Sequence, residues 1–139
     1  MNPITLRPVA SSTTGKMLRA VTDALVALHE RYYGRAPGTA RSHMMGDDML
    51  ACTLGSVCTD VEKTMIELQR QALVHETRRA FQQAMEHRFI EAVQDITGRR
   101  VPRFISTHHV GPDLEIELFL FEPANQVDSL VDRVVSLSH

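Results

Sequence analysis

Histidine and aspartate are side chains from which metal sites are built, and in this chain they recur in matched settings. His43 and Asp48 flank Gly46, and His108 and Asp113 flank Gly111. One His and one carboxylate on each of two hairpins could supply four ligands if the hairpin tips met. The same residue types also favour tight turns for conformational reasons. Hairpins related by a repeat usually hold their tips apart, so no metal ligand is assigned and no cofactor is expected. His108 and His109 cannot ligate together from one strand face, because neighbouring strand residues point to opposite sides. His29 and His75 fall inside helical patterns, where a partly buried or solvated imidazole is the ordinary outcome.

Covalent catalysis finds no support. There is no GxSxG, no glycine-rich phosphate loop, and neither Cys52 nor Cys58 has a histidine beside it in sequence. Without a CxxC or a second cysteine pair, the two thiols read as buried and reduced. No catalytic residue and no enzyme activity are expected. The clustered positive charge is Arg99, Arg100 and Arg103, with Arg35 and Arg41 at related positions earlier in the chain. These five are candidates for binding a small anion, a carboxylate partner or RNA. The structural reading is that cations complement helix C-termini, an effect of about 0.3–1 kcal/mol. A net charge of −2 and a pI near 6.4 create no global field for nucleic acid, which is not expected as a partner.

The elements that must position these residues follow from length and patterning. The chain of 139 residues fits one domain, residues 1–139. With 43% apolar and 23% charged residues and a mean hydropathy of −0.15, it reads as a soluble globule. Met49 to Thr59 is the longest stretch free of Asp, Glu, Lys and Arg, well short of the roughly 20 apolar residues that a spanning helix needs. No direct membrane insertion is expected. The N-terminus lacks a secretory pattern, so the expected place is the cytoplasm, at most peripheral to the membrane through a partner.

Residues 1–15 read as flexible, and Lys16–Arg31 carries the 3.6-residue period of an amphipathic helix that stops at Gly34. Thr39–Met45 and Met49–Leu54 form a hairpin around Gly46-Asp47-Asp48. Thr59 and Glu62 make a capping box, and a helical pattern then persists to Gly98. Unbroken, that long central helix would measure about 57 Å. It must either bend near His75-Glu76 or pack against a second copy, and a homodimer is expected. Pro102–His109 and Leu114–Glu122 form a second hairpin. There Leu114, Ile116, Leu118 and Leu120 share one face, while Glu115 and Glu117 read as a solvent-facing pair and Phe119 and Phe121 as a partner-facing contact. Residues 124–139 are a tail or short helix.

Gly34-Arg35 aligns with Gly98-Arg99 at an offset of about 64, while Pro37, His43, Gly46 and Asp48 align with Pro102, His108, Gly111 and Asp113 at an offset of about 65. The unit, about 16–57 and again about 79–122, is helix, strand, turn, strand. Two such units imply an α+β fold: a four-stranded antiparallel sheet with helices on one face.

The runs LHERYYGRAPGTAR, DDMLACTLGSVCTDVEKTMIE and VHETRRAFQQAMEHRFIEAVQDITGRRVPRFIST resemble the small bacterial MpsC-like proteins over roughly Ala20 to Glu122. The most specific parts are the YYGR-x-P turn, the T-x-x-EK helix start and the TGR-x-V turn. Cys58-Thr59-Asp60 departs from the Leu-Thr-Pro of many relatives but keeps the threonine cap. The resemblance implies association with a sodium-translocating, membrane-potential-generating system linked to inorganic carbon uptake. It implies a non-enzymatic accessory or regulatory protein that binds itself or a membrane transport subunit. It carries over no catalytic or ligand residues.

Overall fold

The computed structural model describes residues 8–123, with side chains from residue 13 onward. The elements are α1 (Pro8–Tyr33), β1 (Thr39–Met45), β2 (Met49–Gly55), α2 (Asp60–Glu67), α3 (Gln71–Thr97), β3 (Arg103–His109) and β4 (Leu114–Leu120). The strands form one antiparallel sheet in the order β1-β2-β4-β3, so the fold is α+β. Helix α1 begins at Pro8, well before Lys16. Proline is tolerated in a first turn because its missing N–H is unpaired there anyway. Residues 1–7 of the segment read as flexible, and the tail read as a short helix from Gln126, lie outside the described residues.

Both long helices lie on one face of the sheet. Val21 and Leu25 of α1 and Met85, Phe89 and Val93 of α3 pack on Leu50, Cys52 and Leu54 of β2 and Phe119 of β4. Each helix stops at a glycine with positive φ, Gly34 at 75° and Gly98 at 68°, where a side chain would be strained.

The long helical pattern is two helices, and the break precedes His75. Gln69 takes a left-handed φ of 62°, its N–H reaches the Ile66 carbonyl at 2.9 Å, and the Arg70 N–H reaches that of Met65 at 2.8 Å. That is a Schellman turn built without glycine, so no sequence signal marked it. Its physical cause is a side-chain contact. Glu62 and Arg78 are sixteen residues apart, which an unbroken helix would stretch to about 24 Å, yet here they touch. The turn at 68–70 folds α2 back so that they can.

The central register runs from Met49↔Leu120 to Gly55↔Leu114 about Cys52↔Glu117, and it maps onto itself when 65 is added to each β2 number. Two flanking bonds obey the same relation: the Ser56 N–H reaches the Asp113 carbonyl at 3.1 Å, and the Phe121 N–H reaches that of Asp48 at 2.7 Å. The outer strands do not. The β1–β2 turn holds three residues and the β3–β4 turn four, which shifts β3 by one position relative to β1. His43 consequently faces away from the helices, whereas its sequence counterpart His108 faces toward them.

The two faces of β4 are the reverse of the hydropathy reading. Glu115, Glu117, Phe119 and Phe121 are all buried beneath the helices, Phe119 completely. Phe119 and Phe121 are therefore core residues and not partner-facing ones. Leu114, Ile116, Leu118 and Leu120 stand half-buried on the open face. Apolar leucines tolerate a half-wet sheet surface. The glutamates can be inside only because the helices bring countercharges to them.

Candidate functional site

Among the described residues, four polar side chains are buried where an apolar core would normally continue: His29, Arg78, Glu115 and Glu117. Each comes from an element whose other residues demand burial. His29 follows Val21 and Leu25 on the inner stripe of α1, Arg78 follows Val74 on α3, and the two glutamates precede Phe119 on β4.

Arg78 is the hub. Its Nε donates to Glu62 Oε2 at 2.6 Å, and its Nη2 donates to Glu62 Oε1 at 2.7 Å and to the Val57 carbonyl at 2.8 Å. Nη1 donates to Glu115 Oε1 at 3.1 Å, an oxygen that also accepts from Gln82 Nε2 at 3.0 Å. The guanidinium carbon stands 4.5 Å from the centre of the Tyr33 ring. The bidentate fork on Glu62 is the strongest geometry this pair of groups can adopt. Burial alone would push Glu62 up, but its bonds from Arg78 and Thr59 hold it below the usual carboxylate range. Glu62 thereby closes the capping box at Thr59 and grips Arg78 at once.

On the other side, His29 Nε2 lies 2.5 Å from Glu117 Oε1 and 3.1 Å from Glu115 Oε2. The second contact lies outside hydrogen-bond geometry, since Glu115 Oε2 and Glu117 Oε2 are both buried without a hydrogen-bond partner. Burial pushes Glu117 up to about 7. Burial, followed by repulsion from Glu117, does the same to Glu115. Burial pushes His29 down. A 2.5 Å N···O contact requires a proton between the atoms, and in a dry setting the neutral pair of imidazole and carboxylic acid is favoured over the ions.

Among the described residues, two groups of side chains have donor atoms close enough to meet at one ion: His29 with Glu115 and Glu117, and Cys58 with His108 and Asp113. The first does not fit a cation. A tetrahedral ion would hold N and O about 3.4 Å apart, not 2.5 Å, and the Arg78 guanidinium already occupies Glu115. In the second group, Cys58 Sγ is 3.6 Å and Asp113 Oδ1 3.5 Å from His108 Nε2.

The four-ligand arrangement of His43, Asp48, His108 and Asp113 does not form. The two turns sit at opposite ends of the sheet, since Met49 pairs with Leu120 and Gly55 with Leu114. Nor do the five arginines converge. Arg41 and Arg103 stand on opposite edge strands, three strand spacings or about 14 Å apart across the sheet, and in different rows, since Arg41 lines up with Thr107 and Arg103 with Met45. Arg99 donates to the Asp47 carbonyl at 2.6 Å and covers the Phe121 ring at 4.3 Å, closing the far end of the core. Arg35 follows α1 near the other end.

The uncovered face of the sheet has its own character. Across neighbouring strands it presents Met45, Met49 and Leu120, then Ala51, Leu118 and Ile105, then Thr53, Ile116 and Thr107. Met45 is 55% exposed and Ile105 47%. Arg41 and His43 rim one edge, and Arg103 and His109 rim the other. Among the described residues, no strand carboxylate points to this side.

A family model described as the Na+-translocating membrane potential-generating system (MpsC) matches residues 13–123, from α1 through the end of β4. The chain belongs to the MpsC family. No curated protein and no solved structure matches it. The MpsC match contains the buried ion cluster, the Cys58 group and the open sheet face together.

Sequence patterning missed both side-chain clusters in this MpsC chain. A signal for the first was present: one charged or imidazole residue interrupts the apolar stripe on each helix, at His29 and Arg78. Two carboxylates interrupt the stripe that continues into Phe119. Three interruptions on three core-facing stripes require one another, although no single one identifies its partner. The second cluster had no local signal, because Cys58 and His108 are fifty residues apart.

Proposed function

We propose that this MpsC-family chain is a non-enzymatic accessory component of a Na+-translocating, membrane-potential-generating system. It acts by binding a protein partner through the open face of its sheet. The family match supports the association with that system. No described helix is long and apolar enough to cross a membrane, and in this reading other components carry the ion. The observation that supports partner binding is the composition of the open face. An apolar centre of Leu118, Ile116 and Ile105 lies between basic edges, with no described strand carboxylate on that side.

A face of this kind fits a partner with an apolar centre and an acidic rim. A second copy of the chain would set like-charged edges together, so the partner is a different protein. The test is affinity isolation of the tagged protein at native expression from gently solubilised cells, followed by mass spectrometry. The expected result is a polytopic ion-transport subunit recovered with the wild type and lost with Leu118→Glu or Ile105→Glu. Recovery of the tagged chain alone, or of RNA released by high salt, overturns the proposal.

A further inference from the structure

We propose that Cys58, His108 and Asp113 form an open binding site for a d-block divalent cation, with zinc the best fit. This goes beyond the partner-binding role and does not depend on it. Three separate elements converge: the loop entering α2 supplies Cys58, the inner face of β3 supplies His108, and the β3–β4 turn supplies Asp113.

The distances carry the inference. Cys58 Sγ stands 3.6 Å from His108 Nε2, and Asp113 Oδ1 stands 3.5 Å from the same nitrogen. One imidazole nitrogen offers either one proton or one lone pair, so it cannot make a full hydrogen bond to both neighbours. The N···O separation also exceeds the usual 2.7–3.2 Å of a hydrogen bond. A tetrahedral ion with zinc's bond lengths would hold S and N about 3.6 Å apart and N and O about 3.4 Å apart. The two separations from His108 Nε2 therefore match two edges of a coordination tetrahedron, and the donor atoms of all three residues lie within 4.8 Å of one another.

The surroundings agree. The His108 side chain is only 3% exposed, and Asp113 Oδ1 is buried without a hydrogen-bond partner. Asp113 Oδ2 accepts from the Cys58 N–H at 2.9 Å, which fixes the carboxylate and ties two ligands together. Thiolate and carboxylate together cancel a 2+ ion, so the loaded site is neutral, and the thiol proton passes to solvent on binding. Sulfur and imidazole ligands favour zinc over magnesium or calcium. Among the described residues the group supplies three protein ligands, which leaves a fourth position for water or an exchangeable ligand. A cleft of about 450 Å³ lined by His75, Arg79, Gln82 and His108 opens beside it.

The experiment is titration of the metal-stripped full chain with Co²⁺, followed by displacement with Zn²⁺. Expected are one equivalent bound, a thiolate-to-cobalt charge-transfer band, and the intense visible bands of a four-coordinate site, all abolished by Zn²⁺. Cys58→Ser and His108→Asn should each weaken binding at least about 100-fold, while Cys52→Ser should leave the spectrum unchanged. Wild-type protein with no charge-transfer band at stoichiometric Co²⁺ overturns the proposal, as does loss of the band in Cys52→Ser. Because the cysteine variant could misfold, Zn²⁺ protection of wild-type Cys58 from alkylation, read by peptide mass, provides an independent measurement. Alkylation at an unchanged rate rules the site out.

Discussion

Replacing Arg78 by methionine keeps most of the volume of the side-chain stem and removes the charge, so it isolates what the guanidinium does. Four hydrogen bonds disappear: two to Glu62, one to Glu115 and one to the Val57 carbonyl. Breaking a buried ion pair from one side costs roughly 3–5 kcal/mol, most of it from the charge left behind. For a chain of this length that corresponds to a fall in Tm of about 10–20 °C. The loss should depend on pH. Glu115 is pushed up to about 7 by burial and by Glu117. At about pH 5.5 it already carries a proton and leaves little charge exposed when Arg78 is lost, whereas at about pH 8 it is ionised and left without its partner. The penalty should therefore be smaller in acid, and Arg78→Met combined with Glu115→Gln should recover at least about 1 kcal/mol at pH 8. Thermal and urea unfolding followed by circular dichroism measures all of this. A Tm loss under about 3 °C, or a larger loss that is equal at both pH values and not recovered in the double variant, refutes Arg78 as the hub.

Glu117, raised from an ordinary 4.5 to about 7, binds its proton more tightly folded than unfolded. Its contribution is full below pH 4.5 and is lost as pH rises through 7, so its share of wild-type Tm should fall between about pH 4.5 and pH 7 and level off above. Glu117→Gln should flatten that fall, and a flat wild-type profile contradicts it. His29, pushed down by burial, works in the opposite direction below its ordinary 6.5, so His29→Gln should blunt destabilisation in acid. Phe119→Ala should cost about 3–5 kcal/mol in urea unfolding, whereas a residue waiting for a partner would cost almost nothing. Thr59→Ala should cost about 1 kcal/mol by removing the cap that accepts from the Glu62 N–H, and an unchanged Tm would deny the cap that role.

The element types were legible because they rest on local chemistry. Gly34, Gly98 and the Thr59–Glu62 box each terminate or start a helix through their own backbone geometry. The turn at Gln69 was not legible, since a left-handed glutamine leaves no compositional mark and the force behind it is a contact with Arg78. The faces of β4 failed for a related reason. Hydropathy ranks Leu114 to Leu120 above Glu115 and Glu117, and that ranking holds only while the glutamates lack partners. Countercharges from helices far away in sequence reversed it. The Cys58 group depended on the four-residue turn that rotates His108 inward, a difference of one residue from the first hairpin.

Helix α2 buries no side chain of its own. Its docking relies on the Glu62 carboxylate held by Arg78, with the Val57 carbonyl and the Cys58 N–H anchoring the segment that leads into it. In hydrogen-exchange terms this makes α2 a separate opening unit, able to leave while β2 and β4 stay paired. Amides from Lys63 to Glu67 should exchange through a low-energy opening, and those of the central strands only through global unfolding. The same guanidinium ties this separately opening helix to the carboxylates at the centre of the fold. Protonation of Glu115 loosens one side of that tie, so the rate at which α2 detaches becomes a surface readout of a proton that solvent does not touch.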